Sequence, residues 1–396
     1  MKKNISIVTL LSGFALLIVG ALILSSCEGP MGPAGPSGDD GAAGPTGANG
    51  AAGPAGDAGA DGANGADGIN GVDGLNGADG VDGNGTCIVC HDDDVVLLAK
   101  QQQALSSHHL EGGNYARNHT DCSICHNHQG FTTYMATGLE PASDVMDPAP
   151  ITCRTCHMIH VNYDDTDWML VDELPVVLTH GDATVDLGGS SNLCVNCHMS
   201  REIDDFPVVG STDSVWVKSS RWGPHHGPQG NNLWGVGGYE VVGSMTYPTP
   251  GSHPHVSMMG MGCVECHMAP IPYGGREAGG HTFNMNYEYH DEETANSATA
   301  CNECHTELDD SFDYKDTQTT VDALIVDLET IFIAKGWIDA AGGSWNVPRN
   351  DSLGVTSDEA GAMINYKTVT EDRSRGIHNA DYMIALLTNS LESLTP

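Results

Sequence analysis

Cys87-Ile88-Val89-Cys90-His91 is the first of six copies of one pentapeptide, Cys-x-x-Cys-His. The others are Cys122-Ser123-Ile124-Cys125-His126, Cys153-Arg154-Thr155-Cys156-His157, Cys194-Val195-Asn196-Cys197-His198, Cys263-Val264-Glu265-Cys266-His267 and Cys301-Asn302-Glu303-Cys304-His305. Together they take up 12 of the 13 cysteines, leaving Cys27 alone near the N-terminus.

Two thiols three positions apart can add across the two vinyl groups of one haem, and the histidine that follows is then delivered to the iron as its proximal ligand. Zinc sites also use cysteine pairs at this spacing, but a histidine directly after the second cysteine in all six copies argues against zinc. Disulfides suit an oxidising compartment and leave the six histidines unexplained. The motifs therefore imply six c-type haems, with His91, His126, His157, His198, His267 and His305 as proximal iron ligands.

From Cys87 to the C-terminus 310 residues serve six such groups, so the haems themselves must form much of the core. The expected head is mainly irregular with α-helices and few strands, because turns rich in Gly, Pro, Asn and Asp dominate between the motifs. Helical spacing returns late, at Val321, Leu324, Ile325, Leu328, Ile331 and Phe332, and a last helix is expected from about Ala380 to Leu394.

Upstream of the motifs, Gly occupies every third position from Gly29 to Asp82, through 18 uninterrupted triplets. That is the collagen period, which arises because only Gly fits at the axis of a three-chain helix. The reading is a stalk that trimerises the chain; the alternative is a flexible Gly-rich spacer. Residues 1–26 read as an export signal, with Lys2 and Lys3 ahead of an uncharged apolar run from Ile5 to Leu24. Leu24-Ser25-Ser26-Cys27 resembles the lipobox of bacterial lipoproteins, which implies acylation at Cys27 and a lipid anchor. An uncleaved membrane helix is the other reading of this run. Glu28 after the cysteine favours, by the same resemblance, the outer membrane or cell surface.

The expected organisation is thus a signal at 1–26, an anchor and collagen-like stalk at 27–86, a hexahaem domain at 87–310, and a C-terminal helical segment at 311–396 packing on it. A formal charge of -37 excludes nucleic acid as a partner; it reads first as keeping an exported protein soluble, and otherwise as favouring cationic partners or cation-bearing mineral surfaces.

Thirteen further histidines compete for the six remaining axial positions. Which haem each would serve is not readable from spacing. Met158, Met199 and Met268 each follow a proximal histidine and point away from its iron, which suits packing against haem.

Several short stretches carry a resemblance. Ser107-His108-His109, Cys125-His126-Asn127-His128-Gln129-Gly130-Phe131, Cys156-His157-Met158-Ile159-His160, Pro224-His225-His226-Gly227-Pro228-Gln229, His255 ahead of Cys263, Gly279-Gly280-His281-Thr282-Phe283 and Gly376-Ile377-His378-Asn379 are similar to a broad group of multihaem cytochromes. That group contains ammonia-forming nitrite reductases, hydroxylamine oxidoreductases and their electron-carrying relatives. The resemblance covers residues 87–396 and implies His109, His160, His225, His255, His281 and His378 as the distal ligands. His108, His226 and His253 lie close enough to substitute, whereas His119, His128, His180 and His290 read as supporting or surface residues.

The chain departs from the nitrite reductases in having no cysteine pair followed by lysine, the mark of their catalytic haem, and nothing identifies the tyrosine crosslink of the hydroxylamine enzymes. The resemblance therefore implies an electron carrier, exchanging electrons with another redox protein or an extracellular acceptor. An oxidoreductase acting on a small nitrogen or sulfur oxyanion is the alternative, and an adhesive surface protein a third.

Overall fold

The computed structural model describes residues 96–395 apart from 108, 110–114, 272–276, 290–291, 296–299, 303, 307, 309–310, 340–342 and 348–350. The signal, Cys27, the stalk, the first motif with Cys87, Cys90 and His91, and also His108 and His290, lie outside the described residues. The chain divides into two units, Met1–Gly85 and Thr86–Pro396. The described helices and strands all belong to the second unit.

Helices dominate among the described residues, most of them short. In chain order they are α1 (Val96–Leu105), α2 (Thr120–His126), α3 (His128–Thr137), α4 (Cys153–Cys156), α5 (Ser190–Val195), α6 (Gln229–Trp234), α7 (Pro254–Ser257), α8 (Cys263–His267), α9 (Thr317–Ala334), α10 (Ser357–Asp372) and α11 (Ala380–Leu394). Strands among the described residues form three two-stranded antiparallel pairs. These are β1 (Val176–Val177) with β2 (Thr184–Val185), β3 (Ser214–Val217) with β6 (Leu353–Thr356), and β4 (Asn286–Tyr289) with β5 (Glu292–Ala295). None of the described helices is long and apolar enough to cross a membrane.

The main apolar core belongs to the last three helices. α9 buries Val321, Leu328 and Phe332 on one face, following its apolar spacing, and these meet Met363, Val369, Met383 and Leu387. Trp222, Trp337 and Trp345 close the same cluster.

α10 is buried on all sides, with Ala360, Ala362, Met363 and Ile364 all fully covered. It starts at a capping box: Glu359 N–H donates to Thr356 Oγ1 at 3.3 Å and Thr356 N–H donates to Glu359 Oε2 at 2.9 Å. At Gly361 a Cβ would lie 1.9 Å from the Tyr239 ring, so only Gly lets that aromatic ring pack against the helix. One turn on, buried Asn365 accepts from Tyr239 N–H at 2.7 Å and donates to Tyr239 O at 2.8 Å. This pair ties the central helix to the 236–241 loop. Because β6 pairs with β3, the C-terminal segment is woven into the middle of the chain.

A second, smaller cluster joins β1, β2, α5 and α6 through Val176, Val185, Val195, Leu233 and Val236. It carries the fourth motif.

Candidate cofactor sites

Each described motif forms one helical turn. The His157, His198 and His305 N–H groups donate to Cys153 O, Cys194 O and Cys301 O respectively, each at 2.9 Å, and α2 and α8 contain their motifs outright. A turn of 3.6 residues puts the two cysteines and the histidine on one side. Tight packing fixes the second motif further: Asn127 caps α3 by accepting from Gly130 N–H at 2.8 Å, and a Cβ at Gly130 would come within 2.3 Å of Ser123 O.

The ten described motif cysteines are free thiols. All ten line one continuous cavity of about 2410 Å³. A pocket for one small molecule measures about 300–1,000 Å³, so this space suits several groups packed together. No cluster of three or more His, Cys, Asp or Glu able to hold a bare metal ion occurs among the described residues.

Across the cavity, the five described motif histidines are each faced by a second histidine. Ring centres are 5.8 Å apart for His198 and His109, 6.3 Å for His126 and His225, 6.1 Å for His157 and His281, 5.8 Å for His305 and His255, and 6.3 Å for His267 and His378. Metal–imidazole bonds of about 2.0 Å on opposite sides of one ion put ring centres roughly 6 Å apart. The spacing of all five pairs fits an iron between them. Direct ring packing is closer, as for His225 with His226 at 4.7 Å and His253 with His255 at 5.0 Å.

The five facing histidines are five of the six that the resemblance implies. The sixth, His160, adopts φ 66°, stacks on Tyr163 at 5.6 Å, and donates its backbone N–H to Asp167 Oδ2 at 2.7 Å. Four other described histidines are engaged elsewhere. His119 contacts Asp144 at 3.1 Å, His128 Nδ1 contacts Thr155 Oγ1 at 2.8 Å, His180 Nε2 donates to Gly237 O at 3.0 Å, and His226 Nδ1 contacts Glu371 Oε2 at 2.5 Å. Met199 and Met268 line the cavity; Met158 lines a separate small cleft behind the third motif.

Acceptors at Nδ1 set the ring orientation and leave Nε2 to face the partner. His157 Nδ1 donates to Trp168 O at 2.6 Å, His267 Nδ1 to Phe283 O at 2.9 Å, and His198 Nδ1 to Gln229 Oε1 at 3.2 Å. His378 Nδ1 donates to a carboxylate, Asp372 Oδ2, at 2.8 Å. None of these four acceptors is visible as such in the sequence; Phe283 and Gln229 do fall within the stretches that carry the resemblance.

Burial lowers the His225 pKa to about 4, helped by Arg201, His226, His126 and Arg117. Burial, then Arg117 and Arg201, lowers His126 as well. These imidazoles are neutral at pH 7, the state a metal ligand needs. At His378 burial acts downward but Asp372 outweighs it and raises the pKa.

The motifs also pack on one another. Cys125 Sγ lies 3.8 Å from Asn196 O and Cys197 Sγ 3.9 Å from Ile124 O, so the second and fourth motifs stand back to back. Cys263 Sγ lies 3.9 Å from Ser191 O, and Val264 N–H donates to Ser191 Oγ at 3.2 Å, which sets the fifth motif against α5 and the fourth. Burial with Cys194 and Cys153 nearby pushes Cys156 up to about 12, and burial with Cys301 nearby pushes Cys266 up to about 11. The third motif therefore adjoins the fourth, and the sixth adjoins the fifth.

Residues 27–85 match the collagen triple helix repeat, in 20 copies. The chain has no match among curated proteins. Two solved structures are similar to it. The crystal structure of the outer cell wall cytochrome OcwA has a TM-score of 0.43 and 18% identity, covering 75% of this chain and 50% of that one. The undecaheme cytochrome from the S-layer of Carboxydothermus ferrireducens has a TM-score of 0.39 and 20% identity, covering 75% of this chain and 40% of that one. The chain thus spans half or less of the length of either, and its N-terminal segment is a collagen-like repeat.

Proposed function

We propose that this chain is an exported electron-transfer protein that binds six c-type haems, each closed on both faces by histidine. The observation that carries the reading is the set of five histidine pairs, each at the spacing of two axial ligands on one iron. A bound haem supplies a one-electron iron couple at each site.

The chain's own residues do the rest. The motif cysteines would hold the groups as thioethers, the paired imidazoles would ligate each iron from both sides, and the Nδ1 acceptors hold the rings in place. An iron so held would leave no position for substrate. Of the six distal ligands that the resemblance implies, His160 would be the one left to serve the haem of the first motif. Histidine on both faces, without an axial methionine, favours low potentials. The packing of the second motif on the fourth, the fourth on the fifth and the fifth by the sixth, with the third beside the fourth, makes the five described sites contiguous.

Acylation at Cys27 would anchor the protein at the outer membrane or cell surface, and three stalks would join as a homotrimer. Partners would be other redox proteins or extracellular acceptors, met by a strongly acidic surface.

Intact mass and electron paramagnetic resonance of the oxidised holoprotein test the reading. The expected result is six haem masses above the polypeptide and low-spin signals only, unchanged by nitrite or carbon monoxide. A high-spin haem that binds and reduces nitrite would instead establish the oxidoreductase alternative.

A further inference from the structure

We infer that Asp372 is a positioning residue for one of these sites: its carboxylate, bonded to His378 Nδ1, holds the iron between His267 and His378 at a more negative potential than its ligand pair alone would set. The inference rests on His378 being an axial ligand.

The geometry is specific to this residue. Asp372 ends α10, its side chain is 0% exposed, and Arg373 then takes a left-handed conformation, φ 66°, that turns the chain back toward the cavity. Six residues on, His378 returns to donate Nδ1–H to Asp372 Oδ2 at 2.8 Å. Asn232 Nδ2 on α6 donates to the same oxygen at 3.1 Å, and Ser374 N–H donates to Oδ1 at 3.0 Å. No Lys or Arg among the described residues forms an ion pair with it. The charge therefore faces the imidazole with only neutral donors around it.

The contrast lies within one site and between sites. His267, on the opposite side of the same iron position, donates to a peptide carbonyl, and His157 and His198 also donate to neutral oxygens. A carboxylate draws the Nδ1 proton, makes Nε2 a stronger donor to the metal, and places a buried negative charge close to it. Both effects favour the oxidised, more positive iron. Neutral acceptors do neither.

The test uses the full-length holoprotein in a spectroelectrochemical titration of all six haems. Asp372→Asn keeps shape and removes charge; it is expected to move one midpoint potential positive and leave the other five in place, with six low-spin haems retained. Asp372→Glu is expected to restore a value near the parent. Six unmoved midpoints in Asp372→Asn would overturn the inference. If Asp372→Asn does not mature, Asn232→Ala carries the test. Losing that competing donor makes the carboxylate a better acceptor, so the same midpoint moves negative, and an unmoved midpoint overturns the inference. His378→Ala separates the two claims. A new high-spin signal upholds its ligand role whatever Asp372 does; no such signal ends the ligand assignment and the inference with it.

Discussion

His109 and His198 are 89 positions apart in the chain, yet their Nε2 atoms face each other at 3.5 Å. Two bonds of about 2.0 Å through a metal need about 4.0 Å, so a small outward movement would make room for an iron between them. His109→Ala is expected to convert one of six low-spin haems into a high-spin, carbon monoxide-binding one, read by electron paramagnetic resonance and by the Soret shift. An unchanged low-spin signal would show that another group closes the site at His198.

The capping box of α10 makes a stability prediction with a defined pH dependence. Burial acts to raise the Glu359 carboxyl, but Lys335 and the Thr356 N–H outweigh it and hold the pKa below the ordinary value. Lys335 Nζ lies 2.7 Å from Glu359 Oε1. A depressed folded pKa contributes stability that is complete above the unfolded value, about 4.3, and is lost as pH falls through the folded value. Thr356→Ala is expected to cost about 1 kcal/mol at pH 7 by denaturant titration. Glu359→Gln should also be less stable than the parent at neutral pH, and the gap should close on acidification below pH ~4.

Gly361 sets two effects against each other. Ala in a helix interior is favoured over Gly by about 0.5–1 kcal/mol, whereas a Cβ here would sit 1.9 Å from the Tyr239 ring. Tyr239 is fully buried and held at both N–H and C=O by Asn365, so it cannot step aside cheaply. Forcing extra volume into such a core costs about 1–3 kcal/mol or more, and the clash wins. Gly361→Ala should lower the melting temperature, and a rise would show that the ring has room to move.

The stalk prediction concerns assembly. Residues 27–85 match the collagen repeat, and a triple helix of the 18 triplets would be on the order of 160 Å long at roughly 3 Å per residue. Deleting residues 29–82 should turn a trimer into a monomer in sedimentation while leaving the haem spectrum as it was. A full-length protein that sediments as a monomer after delipidation would show the segment to be a spacer. Cys27→Ser, in the same series, should release the protein from washed membranes if acylation is the anchor.

Legibility varies with how local the determining physics is. α11 runs Ala380–Leu394, the expected span, and α9 encloses the apolar stripe from Val321 to Phe332, because each has one face to bury. α10 leaves no such mark. Buried on every side and built largely from small residues, it shows no stripe for a periodicity to reveal. The motifs announce their own turns, since the cysteines and histidine they need lie within one turn of helix. The pairing of His267 with His378, or His109 with His198, depends on where distant segments cross, and no local spacing encodes it. Asp372 is further out of reach: its contact with His378 depends on the left-handed turn at Arg373 and on the approach of Asn232 from α6.

Phe283 touches three of the candidate sites at once and so makes the most demanding prediction. Its ring lies edge-on to His109 with centres 5.1 Å apart and 6.0 Å from His281, while its carbonyl accepts from His267 Nδ1 at 2.9 Å. It does this from a left-handed backbone, φ 58°, which is uncommon for a bulky residue. The ring is what orients two imidazoles; the peptide is what orients the third. Phe283→Ala removes the ring and keeps the carbonyl. Loss of a packed aromatic costs about 3–5 kcal/mol when fully buried, and less here because Phe283 is only half-buried. The protein should therefore still load its haems. The relative tilt of axial imidazole planes governs the g-values of a low-spin haem, so two of the six low-spin signals, those of the His109/His198 and His157/His281 sites, should shift. The signal of the His267/His378 site should not. Asp372→Asn should give the reverse pattern, changing the third signal and sparing the first two. If Phe283→Ala moves all three together, the backbone has shifted with the ring and the separation of roles at this residue is wrong.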